Sequence, residues 1–504
     1  MSNTPFSPEP DLDPRSPEEW EEARRAAHRL VDRVLDQHRD LRQEPCWRPM
    51  PQEARSALAA APPREGLGLE EALARAEALI EPYGTGNRHP RFWGWVLGAG
   101  TLPGLLGQWM ATGMNANVFG GDQGPVILER QVVEWFRQGM GFPEGASGLL
   151  VDGGSMGNLL GLAVARHWAT DGRCKTEGPG ACAGLRIYAS AAVHNSVQKG
   201  AELLGLGSVA VRSIALDDLG RIHLPALEEA IQEDLRAGLR PFCVVGSACT
   251  VGTGAMDPLP ELRAAADRHG LWFHVDGAIG ALGRFSPALR GLFEGMDRAD
   301  SLAFDLHKWG QIPYDAGCFL VRDGDLHRAA FQVDARYLGT VEGGMAAHGC
   351  HMFHQYSPLL SRGDRALKIW MTITALGLDR WASIFEKNAA QATFLGERVD
   401  AHPDLERLAP TGLNILCFRF RGGLEDEDRL DAINERILVE LQETGFCMLS
   451  PNRVKGRCCL RVAISNHRTT RGDLEELVER VAGAGRRMMA SGGAGLGSGG
   501  RLRS

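Results

Sequence analysis

Between Gln123 and Arg328, short apolar runs alternate with longer stretches of helical periodicity, and no other feature constrains the fold of this chain as strongly. Leu149–Val151 precedes a helical pattern over Met156–Ala169, Leu185–Ala189 precedes one over Asn195–Leu204, and Phe242–Gly246 precedes one over Pro260–His269. Three further runs follow, Leu271–Val275, Ser301–Phe304 and Ala316–Val321. Strands separated by helices require right-handed crossovers, so an α/β fold is expected, with a mostly parallel central sheet and helices on both faces. In such sheets ligands bind beyond the carboxyl ends of the strands, so the turns leaving those runs are where chemistry should lie.

At 504 residues the chain should hold more than one domain. Residues 1–88 read as a Pro- and acid-rich disordered lead of about twenty residues and a helical dimerisation segment. Its helix, Glu18 to Arg39, places Trp20, Ala27, Leu30, Val31 and Val34 on one face. Residues 89–385 form the large α/β domain, 386–490 a small C-terminal α+β domain, and 491–504 a flexible Gly/Ser tail. A net charge of -8 offers no basic patch for nucleic acid or an anionic membrane, and no run is long and apolar enough to span a bilayer. The start is neither a signal nor a transit peptide, and eleven cysteines without a repeating spacing suit a reducing cytoplasm.

Lys308, in Asp305-Leu306-His307-Lys308-Trp309, follows one of the buried runs, where an amine is costly unless its charge is used or removed. Asp276 ends the preceding run and is followed by Gly277-Ala278. A lysine and an aspartate on neighbouring strand ends can reach opposite sides of one flat, cationic heterocycle, as pyridoxal phosphate requires. Gly153-Gly154-Ser155 joins a strand to a helix whose first amides suit a phosphate, although many such loops are plain tight turns. His194 opens a helix; it is either a backbone-satisfied histidine or an imidazole stacked on the ring face opposite Ala278.

With Gly153-Gly154-Ser155, His194, Asp276-Gly277-Ala278 and His307-Lys308 in this order, the chain resembles the group II pyridoxal-phosphate decarboxylases, among them aromatic-L-amino-acid, histidine and glutamate decarboxylases. The likeness extends from about His89 to Ala482 through Pro313-Tyr314-Asp315-Ala316-Gly317-Cys318, Ser361-Arg362, Ala366–Trp370 and Asn466-His467-Arg468-Thr469-Thr470. It implies the pyridoxal-phosphate transferase fold type I and a homodimer whose active sites are shared between chains. By the resemblance Lys308 forms the internal aldimine, Asp276 keeps the pyridine nitrogen protonated, and His194 stacks on the ring. Thr250 lies beside the 3-hydroxyl, Gly154, Ser155 and His307 bind phosphate, and Trp95, Val96, Leu97 and Gly98 line the substrate pocket. The implied reaction is decarboxylation of an L-amino acid through a quinonoid; an aldehyde synthase or a carbon–carbon lyase of the same fold are alternatives.

The segment between Tyr337 and Ser361 departs from the family pattern. Where the family uses a loop tyrosine to protonate the carbanion, counting back from Arg362 reaches Phe353 or Tyr356, and Tyr356 is preferred as the tyrosine between Tyr337 and Arg362. His348, His351 and His354 recur every three residues, but no His-Glu-x-x-His pattern supports a metal. With no added Arg or Lys beside Trp95–Gly98, the expected substrate is apolar, aromatic or branched aliphatic, unless a distant arginine folds into the pocket.

Overall fold

A computed structural model describes residues 12–333, 343–345 and 349–490. Its centre is a seven-stranded sheet of order β1-β7-β6-β5-β4-β2-β3. The strands are β1 (Ser147–Val151), β2 (Leu185–Ser190), β3 (Val211–Ile214), β4 (Arg240–Ser247), β5 (Trp272–Asp276), β6 (Ser301–Asp305) and β7 (Gly317–Val321). Pairs β2/β3, β2/β4, β4/β5 and β5/β6 are parallel. Only β7 runs against its neighbours, β1 and β6. It is antiparallel because Lys308 to Ala316 is a tight return rather than a helical crossover. Residues of β5, β6 and β7 are buried throughout, as expected of a sheet covered on both faces.

Strands β8 (Leu405–Arg407), β9 (Ile415–Phe420), β10 (Ser450–Val454) and β11 (Arg457–Ala463) form a second, antiparallel sheet of order β10-β11-β9-β8. Helices Glu427–Glu443 and Arg471–Ala490 pack on it through Ile437, Leu441, Leu477 and Val481. The helix Leu378–Asp400 serves both cores: Trp381, Ala382 and Phe385 join the large one, whereas Ala392, Leu395 and Val399 join the small one. Trp93, expected in the large domain, instead lies in the small core, because Trp93 N–H donates to the Met448 carbonyl and draws residues 92–93 onto the second sheet. The N-terminal helix spans Pro17–Asp40, capped by Ser16, so order begins before residue 20. Among its residues Ala26 alone is buried, and Trp20 and Leu30 stay exposed. The expected tail, 491–504, lies outside the described residues.

One buried ion pair ties the edge of the large sheet to the chain after 350. Arg362 and Glu129 are each 1% exposed and 2.5 Å apart. Glu129 also accepts from Leu150 N–H, and Arg362 donates to the carbonyls of Val118 and Leu150. Burial pushes the Glu129 carboxyl up, and Arg362 opposes that shift. Removing one partner strands the other charge. Arg362→Met is therefore expected to cost about 3–5 kcal/mol, read as a lower urea midpoint at unchanged slope.

Candidate active site

The carboxyl ends of four parallel strands converge on one cavity of about 240 Å³. Strand β4 delivers Ser247, Cys249 and Thr250; β5 delivers Asp276 and Ala278; β6 leads to Lys308; and the turn after β2 delivers His194. Trp95, Val96 and Leu97 close one wall. Eight of the residues singled out from sequence thus meet in one place, although they span more than 200 positions.

Each side chain is held locally. Asp276 receives Asn158 Nδ2–H on Oδ2 at 2.8 Å and Ala278 N–H on Oδ1 at 3.1 Å, which fixes the orientation of the carboxylate at the cavity. His194 Nδ1 lies 2.8 Å from Ser196 Oγ, and burial pushes the imidazole down. Thr250 Oγ1 accepts from Ala255 N–H at 3.1 Å and lies 3.4 Å from Thr253 Oγ1. The residue before it, Cys249, holds φ at 82°, and Trp95 holds 46°; both lie where a Cβ is disfavoured, by about 1–3 kcal/mol.

Lys308 Nζ sits 2.7 Å from Asp305 Oδ2, a carboxylate only 1% exposed whose Oδ1 has no hydrogen-bond partner among the described residues. Asp305 was not singled out from sequence, yet it ends β6 three residues before the lysine and is the carboxylate paired with it.

Gly153, Gly154 and Ser155 form the turn into the helix Gly154–Ala169, beside the lysine turn rather than in the cavity wall. A Cβ on Gly154 would stand 3.0 Å from both Ala278 Cβ and Asp305 Oδ2, and one on Gly153 would stand 3.1 Å from His307 Cε1. Close approach therefore demands glycine here. Ser155 is exposed at the helix start. His307 Nδ1 accepts Ala316 N–H at 3.0 Å, so its proton is on Nε2, on the side of Asp305 and Gly153; the ring stacks on Tyr314 at 4.3 Å. Burial keeps that imidazole neutral by pushing its pKa down.

Two of the expected residues fall elsewhere. Gly98 does not line the cavity: its N–H donates to the His307 carbonyl at 3.0 Å, and a Cβ there would come within 2.4 Å of the carbonyl oxygens of both His307 and Lys308. Gly98→Ala is thus expected to push the lysine turn out of place and lower cofactor occupancy at least tenfold, measured by absorbance titration, with the unfolding midpoint less affected. Tyr356 is not brought to the cavity within one chain. Its carbonyl accepts from the His327 ring at 2.9 Å, its ring stacks on His351 at 5.2 Å, and it lines a separate groove with Arg130 and Arg322. His354 packs near Phe119, and His348 lies outside the described residues.

Sequence reading missed Arg461, which enters the cavity from β11 of the second sheet. Nη1 donates to the Val251 carbonyl and Nη2 to Ser450 Oγ at 3.2 Å, while Nε is buried without an acceptor among the described residues. It lies 153 positions beyond Lys308 in the chain, so only the folded C-terminal sheet brings it there.

An amine and a carboxylate face one small cavity at the strand ends of a mostly parallel sheet, beside a glycine turn that leaves room for an anion. These features fit pyridoxal phosphate and define an enzyme of that cofactor class with the fold of type I transferases. The chain belongs to the pyridoxal-dependent decarboxylase family, whose conserved domain matches residues 51–421. An aromatic-L-amino-acid decarboxylase of Bacillus atrophaeus is 30% identical over 92% of this chain and 95% of its own length. A phenylacetaldehyde synthase of Arabidopsis thaliana is 26% identical over 89% and 92%. The solved structure of Oryza sativa TDC with PLP and tryptamine superposes with a TM-score of 0.86 at 23% identity, covering 95% of this chain and 100% of that one. Mouse CSAD superposes with a TM-score of 0.86 at 25% identity, covering 92% and 98%. The protein is an amino acid decarboxylase that uses pyridoxal phosphate.

Proposed function

We propose that this enzyme removes the carboxylate of an apolar L-amino acid, aromatic or branched aliphatic, and releases the amine. The observation that carries the substrate class is the wall facing Lys308: Val96, Leu97, Val251 and Ile279 are apolar, and Trp95 adds an indole. Among the described residues Arg461 is the one cation lining the cavity besides Lys308, and its two terminal nitrogens already serve Val251 and Ser450.

Bound pyridoxal phosphate supplies an aldehyde that condenses with amines and a cationic ring that accepts the electron pair left as carbon dioxide departs. Lys308 is the amine that would hold it covalently, released for that from Asp305. Asp276 would hold the ring nitrogen, Thr250 the 3-hydroxyl side, and His194 and Ala278 the two faces. Gly154, Ser155 and His307 Nε2–H would hold the phosphate, with the amides of the first helical turn. The apolar wall keeps water from the carboxylate, which favours loss of neutral carbon dioxide.

A screen of amine products from the purified holoenzyme tests this. Amines from phenylalanine, tyrosine, tryptophan, leucine or valine support it. Release of 4-aminobutyrate from glutamate as the main product would mean that Arg461 pairs an acidic side chain, and would sink the apolar reading.

A second reading, an aldehyde synthase, is favoured by the position of Tyr356 outside the cavity and by the likeness to the phenylacetaldehyde synthase. Aldehyde, ammonia and peroxide in place of amine would establish it.

The catalytic unit we propose is a homodimer in the cytoplasm. On the helix Leu102–Met114, Leu102, Leu106, Met110 and Met114 are 41–59% exposed and recur every fourth residue, so one chain leaves an apolar stripe in water. Trp20 and Leu30 on the N-terminal helix are exposed likewise. All eleven cysteines are free, which suits a reducing compartment. Sedimentation equilibrium should return twice the chain mass, and charging Leu106 and Met110 together should return one chain mass.

A further inference from the structure

Five side chains beneath the cavity form one hydrogen-bonded chain whose direction is fixed at both ends. Trp272 Nε1–H, a donor only, lies 2.8 Å from Ser301 Oγ. The Asp276 carboxylate, whose other oxygen accepts from Ala278 N–H, is the acceptor 2.8 Å from the Asn158 side-chain amide. The amide must therefore turn its nitrogen to Asp276 and its oxygen to His274, whose Nε2 is 2.9 Å away. His274 consequently carries its proton on Nε2, and its bare Nδ1 accepts the Ser301 hydroxyl at 2.8 Å. That assignment uses every donor and acceptor once.

The second N–H of Asn158 points the other way, to Ser196 Oγ at 2.9 Å. Ser196 N–H approaches His194 Nδ1 at 3.3 Å, which makes that nitrogen an acceptor, so the Ser196 hydroxyl, 2.8 Å away, donates to it as well. His194 Nδ1 thus has two donors and no proton of its own.

We infer that Asn158 is a positioning residue: one amide group aims the Asp276 carboxylate and, through Ser196, fixes His194 as the tautomer with its proton on Nε2. In that tautomer the histidine presents an N–H donor, not a base, on its remaining ring nitrogen. The inference rests on the decarboxylase reading of the site but assigns its role to two side chains outside the cofactor cavity. Asn158 and Ser196 are 1% and 4% exposed, and neither lines the cavity.

The test reads the imidazole itself. In cofactor-free protein labelled with ¹⁵N-histidine, the His194 ring, identified by its loss in His194→Gln, should show one protonated nitrogen, Nε2, and one bare one. Asn158→Ala and Ser196→Ala should each turn this into a mixture of tautomers. In the holoenzyme each should lower kcat about 10- to 100-fold, the worth of one charge-assisted hydrogen bond, with KM held within threefold. Losing the donor at Nδ1 should also move the acid limb of the kcat profile upward, against the background of Asp276, Asp305, Lys308 and Lys199, the charged groups that act on His194. His274→Gln, which keeps an N–H for Asn158, should retain the tautomer, whereas His274→Leu should not. A His194 ring unchanged in both Asn158→Ala and Ser196→Ala would overturn the inference. If Asn158→Ala fails to fold, the milder Ser196→Ala decides alone. Absence of amine product from the wild-type holoenzyme, with the tautomer shift present in the variants, would instead count against the decarboxylase reading.

Discussion

Asp276→Ala should lower kcat/KM by about a thousandfold or more while leaving the fold intact. The carboxylate is 6% exposed and faces the cavity, and its two oxygens are met by Asn158 and by Ala278 N–H. Both donors hold the carboxylate in place at the cavity, where it can meet a cation. A preorganised charge of this kind contributes several kcal/mol, and about 4 kcal/mol corresponds to a thousandfold in rate. The fold should survive because removing this carboxylate leaves two neutral N–H groups, of Asn158 and Ala278, unpaired and no stranded charge. Asp276→Asn is the sharper variant. It keeps the shape, but its amide cannot hold a ring nitrogen as a cation, so the rate loss should approach that of alanine. Steady-state kinetics with saturating cofactor would check both, and a loss under tenfold in each would remove Asp276 from the mechanism.

The second large effect is on stability in mild acid. Burial pushes the imidazoles of His89 and His274 down to about 4 and that of His327 to about 3; all three are at most 6% exposed. Unfolded histidine titrates near 6.5. Between pH 6.5 and 4 the unfolded chain therefore binds protons that the native chain refuses, and stability falls as pH falls. Three such groups give a slope near 4 kcal/mol per pH unit once the unfolded histidines are protonated. Asp257 opposes this. Burial raises it to about 6, so it regains stability as pH drops below that value and cancels close to one histidine. Asp473, lowered to about 2 against the opposing effect of its own burial by Arg42, Thr470 and Arg91, titrates below the window. A net loss of roughly 3 kcal/mol per unit exhausts a stability of about 5–15 kcal/mol within a few units. Urea midpoints taken from pH 7 to 4.5 should fall steeply below 6, and flat midpoints would show that these rings are not neutral in the native state.

Much of this site was legible in sequence because its parts lie at strand ends. Apolar runs such as Trp272–Val275 and Leu302–Phe304 announce buried strands, and the polar or small residues that stop them, Asp276-Gly277-Ala278 and Asp305 to Lys308, mark where the chain turns over the sheet. What periodicity cannot express is pairing. It gave no direction for β7, since an apolar run of five reads alike in either sense. Asn158 follows the Gly153-Gly154-Ser155 turn by three residues, yet its partners His274 and Asp276 lie 116 and 118 positions away. Arg461 comes from a different sheet. Gly98 was taken for pocket lining when its task is to let the chain pass against the carbonyls behind the lysine.

One comparison bears on the lysine most directly. Lys368 is the rival amine: it is 2% exposed, burial lowers it to about 8, and it donates to Gln108 at 2.8 Å, outside the cavity that holds Asp276. By basicity alone it would be the readier nucleophile, and position alone favours Lys308. Borohydride treatment of the holoenzyme fixes the cofactor as a stable secondary amine on whichever lysine it is joined to, and peptide mapping then names that residue. The label should fall on Lys308 alone and disappear in Lys308→Ala; a label on Lys368, or on no lysine at all, would contradict the assignment on which the mechanism rests.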